Sequence, residues 1–271
     1  MAEVFAYRAG ALPILLSIPH GGRAIPADIA AAMSDAGRAV ADTDWHLDRL
    51  WDFANLRGCH VLEARYSRHV VDLNRDPDGK PLYPGAENTE LVPLTGFGRE
   101  PLWRIPPDAT EIERRKRLYW RPYHDQLVAV LAAIKAAHGI AMLFEAHSIR
   151  GRVPRLFEGE LPDFNLGSAD GRSCDPALAQ RMLNVCRAVP GYSAVLDGRF
   201  KGGYITRRYG RPAEHVHAVQ LELAQRVYME EAPPWTYSPR KADLPRHGLM
   251  ALIDTLADYA RAFMYSASAA R

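Results

Sequence analysis

"IAMLFEAHS", residues 140–148, decides the fold. Its apolar residues follow one another without alternating with polar ones. That is the pattern of a strand covered on both faces, as in parallel sheets. Similar short runs stand at "PILLSI" (13–18), "CHVLEA" (59–64), "HVVDL" (69–73), "YSAVL" (192–196) and "HAVQLEL" (217–223). Helical patterns lie between them, roughly over 27–38, 44–57, 110–138, 175–188 and 244–264. Asp175-Pro176 opens one of these as an N-cap followed by proline at the first helical position. Strands alternating with helices predict an α/β fold, a three-layer α/β/α sandwich around a mixed, mostly parallel sheet.

The bulk numbers fit one large α/β unit. The chain has 271 residues, 48% of them hydrophobic and 24% charged, and a formal net charge of +2. Nothing in that balance calls for a nucleic-acid or membrane partner, and no apolar run approaches the ~20 residues that span a bilayer. The start, "MAEVFAYRAG", lacks the basic-then-apolar pattern of a secretory signal. Cys59, Cys174 and Cys186 are widely spaced and odd in number, which indicates neither a disulfide framework nor a thiolate zinc site. A reducing cytoplasm is the expected location. No linker composition interrupts the chain, so residues 1–271 read as a single domain. Oligomeric state is not set by one sequence.

Two long segments, 75–108 and 150–173, break the alternation. They carry Tyr83, Phe97, Trp103, Phe157 and Phe164. Disordered segments are poor in aromatics, so these read as ordered loops lining a site.

Ligands in open α/β sheets bind beyond the carboxyl ends of strands. His20 follows "PILLSI", His147 follows "IAMLFE", and Glu222 lies inside the apolar "HAVQLEL". Two histidines from separate strands suit a divalent metal, with a carboxylate as third ligand and one position left for water. Asp42 and Asp44 of "DTDWHLDRL" are the acids to choose between, although an Asp before a helix is also an ordinary N-cap. A glutamate in a buried run is rarely there without a partner or a task. Glu222 reads as a general base or as a salt-bridged strand residue. The stretch "RHVVDLNRDP" (68–77) poses a further question, since Arg68 and Asn74-Arg75 bracket a segment that looks buried. Either Asp72 and Asp76 neutralise them or a substrate does. Lys201-Gly202-Gly203 lacks the spacing of a phosphate-binding P-loop.

The set "SIPHGG", "DTDW", "SRHVVDLNR", "FEAHS", "FKGGYITRRYG" and "AVQLEL" resembles the N-formylglutamate deformylase (N-formylglutamate amidohydrolase) family of histidine degradation. The likeness runs from about residue 5 to about 265, in the family's order. That family is similar to the zinc carboxypeptidases and aspartoacylase-type hydrolases, so the resemblance implies a zinc-exopeptidase-like sandwich. It implies hydrolysis of N-formyl-L-glutamate to glutamate and formate, with other N-acyl amino acids, or metal or anion binding without turnover, as the alternatives. By position, His20 and His147 match the metal histidines; the tight H-x-x-E of the related enzymes is absent, position 23 being Arg, so the acid comes from further along, with Asp44 the choice and Asp42 the alternative. Glu222 matches the base, Arg68 the oxyanion arginine, and Asn74-Arg75 the pair for a substrate carboxylate. The second carboxylate of this small dicarboxylate substrate calls for another cation, from among Lys201, Arg207 and Arg211. The implied cofactor is one divalent metal, zinc being favoured by two imidazoles and a carboxylate.

Overall fold

The unbroken apolar runs become the middle of a sheet. In the computed structural model, which describes residues 3–269 apart from 83, 84 and 86, β2 (Ile14–Ile18), β3 (His60–Ala64), β4 (Ala141–Ile149) and β7 (Val216–Ala224) run parallel at its centre. Three strands complete it: β1 (Phe5–Arg8), β5 (Phe164–Gly167) and β6 (Ala194–Leu196). The order is β1-β3-β2-β4-β7-β5-β6, with β1 antiparallel to β3 and β5 antiparallel to β7. The sheet is therefore mixed and mostly parallel, as expected from the continuous runs.

Side-chain alternation divides the buried residues into two cores. Met142, Phe144 and Ala146 of β4 join Val219, Leu221 and Leu223 of β7 on one face. Four helices cover that face: α3 (Leu47–Leu50), α4 (Phe53–Leu56), α7 (Pro176–Arg187) and α9 (Pro239–Ala269). Ala141, Leu143 and Ala218 point to the other face, against α6 (Arg121–His138) and α8 (Tyr204–Tyr209). Helices α1 (Ala27–Ala32), α2 (Asp35–Arg38) and α5 (Ala109–Arg115) complete the list, and a π-helical turn, Lys116–Trp120, joins α5 to α6. On this second face the strands change character half-way along. Glu145 and His147 of β4, and Gln220 and Glu222 of β7, continue the alternation as polar groups toward the carboxyl ends.

Several expectations are corrected. "HVVDL" is no strand. The Ser67 hydroxyl accepts the N–H of His69, and the Asp72 carboxylate accepts the N–H of Asn74, so side chains rather than a neighbouring strand satisfy this backbone. Val70, Val71 and Leu73 are still buried, as a loop. The pattern over 27–38 splits into α1 and α2 at Met33, which is extended, with Ser34 capping the second piece. Strand β5 lies in a segment read as wholly irregular.

The long loops are tied to each other. Phe97, Ile149, Val153 and Leu161 form a third small core with Phe157 and Phe200. The Arg155 guanidinium donates to Glu87, Thr95 and Gly96 and so binds the second loop to the first. Trp103 and Phe164 belong to the main cores instead, and Tyr83 lies outside the described residues. No helix among the described residues is long and apolar enough to cross a membrane.

Candidate active site

His20 lies just past the end of β2, and its carbonyl accepts the N–H of Asp44 at 3.1 Å. That single backbone bond brings the two residues together. The Nε2 of His20 lies 2.8 Å from Oδ1 of Asp72. A carboxylate there holds the proton on Nε2 and leaves Nδ1 as a lone pair. This Nδ1 is buried and finds no hydrogen-bond partner among the described residues.

His147, on β4, is held in the same way. Its Nε2 lies 2.9 Å from Oε1 of Glu145, a carboxylate buried completely and further fixed by the Thr206 hydroxyl at 2.5 Å. With Nε2–H given to Glu145, Nδ1 faces Oδ2 of Asp44 at 3.0 Å. Asp44 itself is anchored by the N–H of Ser148 at 3.1 Å, and its Oδ1 has no hydrogen-bond partner among the described residues. The two imidazole rings are 4.9 Å apart, centre to centre.

The result is a buried knot of lone pairs. One donor atom each from His20, Asp44 and His147 lies within 4.8 Å of the others. Buried lone pairs that face one another need a proton or a cation between them. Burial alone would lower the His147 imidazolium, but Glu145 and Asp44 outweigh it and raise it to about 10. Burial alone would raise Asp44, but the two histidines and Arg68 hold it low. Two imidazole nitrogens and one carboxylate, each histidine backed by a second carboxylate, fit a divalent transition metal.

Glu222 stands opposite His147 in the β4–β7 register, so both side chains leave the same face. Its carboxylate accepts no hydrogen bond from the described residues, and burial, assisted by Asp44, pushes it up to about 8. Arg68 closes the other side. Its guanidinium bonds Asp72 at 3.0 Å, lies 3.6 Å from Oδ1 of Asp44, and rests 5.2 Å over the Phe97 ring. Asp72, which also lies 3.9 Å from Arg75, thus neutralises part of the charge that brackets the "HVVDL" segment.

Asn74 is buried behind His147. Its Oδ1 accepts the N–H of Ile205 at 2.9 Å, and its Nδ2 lies 3.0 Å from Nε2 of His147. The glycines of "FKGGY" make this approach feasible. Gly202 has φ of +111°, and a Cβ on Gly203 would lie 2.1 Å from Nδ2 of Asn74. Arg75 bonds Thr89 through two nitrogens and sits 3.9 Å from Asp72, the partner of His20.

The remaining sequence candidates have other partners. Asp42 accepts the N–H of Phe97 and lies 3.6 Å from His69, so it anchors a loop and does not join the donor group. Lys201 pairs with Asp170 at 2.9 Å, and Arg207 donates to the carbonyl of Gly202. Arg211 pairs with Glu214 and bridges to Val216, at the opposite end of β7 from Glu222. It is corrected from site residue to surface ion pair, since six residues of strand, about 20 Å, separate it from the site. The sequence reading missed Glu145 and Thr206 and took Asp72 only as a partner for arginine. The signal for Glu145 was the one used for Glu222, an acid interrupting an apolar run.

The model of the N-formylglutamate amidohydrolase family matches residues 12–229. An N-formylglutamate deformylase from Pseudomonas aeruginosa is 50% identical over 263 residues, covering 96% of this chain and 98% of that one. One from Pseudomonas putida is 48% identical, covering 94% and 96%. Among solved structures, an N-formylglutamate amidohydrolase from Ralstonia eutropha superposes with a TM-score of 0.80 at 28% identity, over 95% of this chain and 98% of that one. A protein from Agrobacterium tumefaciens shares the fold, with a TM-score of 0.73 at 16% identity, over 95% and 96%. With its strand-end donor group and these likenesses over nearly its whole length, the chain belongs to the N-formylglutamate amidohydrolase family.

Proposed function

We propose that this protein hydrolyses N-formyl-L-glutamate to L-glutamate and formate, as a metal-dependent amidohydrolase serving histidine degradation. The observation that carries the metal limb is the buried group of His20, Asp44 and His147, whose outward nitrogens are left bare by Asp72 and Glu145. A divalent ion held there, zinc by preference, would supply Lewis acidity toward water and the formyl oxygen.

The chain's own groups account for the proton movements. Glu222, opposite His147 and free of hydrogen bonds from other described residues, takes a proton from the attacking water. It then delivers that proton to the glutamate nitrogen as the C–N bond breaks. Arg68 keeps donors directed at the site while Asp72 holds its other edge, which suits it to the oxyanion that develops on the formyl oxygen. Such donors contribute roughly 3–4 kcal/mol to the transition state. The Asn74-Arg75 pair, beside His147 and Asp72, is the proposed contact for the α-carboxylate, Arg75 exchanging its Thr89 bond for it.

Formate release from N-formyl-L-glutamate, measured with metal content before and after dialysis against a chelator, tests the reading. Loss of turnover on chelation and its return on adding zinc are expected. Full turnover by metal-free protein would remove the metal limb. Turnover only of longer N-acyl amino acids would remove the substrate.

A further inference from the structure

A diacid substrate needs a cation for its distal carboxylate, and the cations named from sequence are engaged elsewhere: Lys201 with Asp170, Arg211 with Glu214, Arg207 with Gly202. We infer that Arg150 is the receptor for the distal carboxylate, a specificity-determining residue for this same site. The inference rests on the deformylase reading above.

Arg150 follows Ile149 at the carboxyl end of β4, three residues beyond His147. Ser148, whose N–H bonds Asp44, is two residues before it, about 7 Å of extended chain. That is comparable to the reach of a glutamate skeleton from its amide nitrogen. The guanidinium donates no hydrogen bond to any described residue, and its Nε is buried without a partner. Among the described residues its one ionic neighbour is Asp42, at 3.5 Å and also without a hydrogen bond on that oxygen.

Arg75 is already assigned to the α-carboxylate. Arg155 bonds Glu87, Thr95 and Gly96, and Arg226, although one of its nitrogens is also unpaired, is held by Leu161 and Asp163. A buried N–H without a partner is costly, and a carboxylate arriving at Arg150 removes that cost with a planar, two-bond contact. Phe97 links the two ends of the site. Its ring carries Arg68, its N–H is held by Asp42, and it packs in one small core with Ile149. A substrate with its formyl group at Arg68 and its distal carboxylate at Arg150 would lie along this edge.

The test compares N-formyl-L-glutamate with N-formyl-L-glutamine, which has the same shape without the distal charge. The unaltered protein is expected to prefer the acid by about 10- to 100-fold in kcat/KM. Arg150→Gln should bring that ratio toward one, chiefly through KM for the acid, and Arg150→Lys should keep part of it. The ratio is internal to each preparation, so loss of folded protein does not affect it. An unchanged ratio in Arg150→Gln, or no preference in the unaltered protein, overturns the assignment. If the unaltered protein released formate from neither compound, the deformylase reading itself would fall first, and this assignment with it.

Discussion

Oδ1 of Asp72 lies 2.8 Å from Nε2 of His20, and the same carboxylate holds Arg68 through its other oxygen at 3.0 Å. One buried acid thus orients a histidine of the candidate metal site and an arginine at once. Burial alone would raise Asp72, but His20, Arg75 and Arg68 keep it well below the usual carboxylate range.

Asp72→Asn keeps the shape and removes the charge. Outer partners of this kind are worth 10- to 100-fold in metal affinity. Competition with a chromophoric chelator should show zinc binding weaker by about that factor. Unchanged affinity would mean that His20 needs no orienting acid.

Glu222→Gln leaves the donor group of His20, Asp44 and His147 complete. Turnover of N-formyl-L-glutamate should fall by about 10²- to 10⁴-fold, with KM and bound metal close to those of the unaltered protein. Near-normal kcat would exclude Glu222 as the base.

Gly203→Ala would force a methyl group against the Asn74 carboxamide, which already accepts the N–H of Ile205 and lies against the His147 ring. Overpacking of this kind costs about 1–3 kcal/mol, a lowering of the melting point by several degrees in a chain of this size. Calorimetry decides it, and an unchanged Tm would show that Asn74 is free to move.

His124 is 3% exposed and stacked 3.7 Å from Trp120. Its Nε2–H donates to the carbonyl of Leu73, so Nδ1 accepts from the Tyr209 hydroxyl. Burial, only partly opposed by the Leu73 carbonyl, lowers it from 6.5 to about 3. Above pH 6.5 the ring is neutral in both states and costs nothing. Between 6.5 and about 3 only the unfolded chain takes up the proton, so stability falls as pH falls through that window. At pH 5 the loss is about 2 kcal/mol. Denaturant unfolding at pH 7.5 and pH 5 should show that His124→Gln, whatever its overall stability, loses about that much less on acidification. Equal losses would place the acid sensitivity elsewhere.

Much of the architecture was legible because burial on two faces leaves a one-dimensional trace. Parallel central strands read as unbroken apolar runs, and β2, β4 and β7 appeared where those runs were. The polar residues at their ends, His20, His147 and Glu222, stood out because a strand end is a place in the sequence as well as in space. "HVVDL" looked the same but had no neighbouring strand, and nothing local distinguishes a run paired by a ladder from one whose backbone is satisfied by Ser67 and Asp72.

The choice between Asp42 and Asp44 needed the fold. Both lie on one short turn, and their roles are set by partners far along the chain: the N–H of Phe97 for the first, the N–H of Ser148 and the ring of His147 for the second. The same holds for Asp72, Glu145 and Arg150, whose meaning depends on which lone pairs and donors face them. Chain pattern records what is buried. Only the packed structure determines which buried charges meet, because a hydrogen bond depends on separation in space and not on distance along the chain.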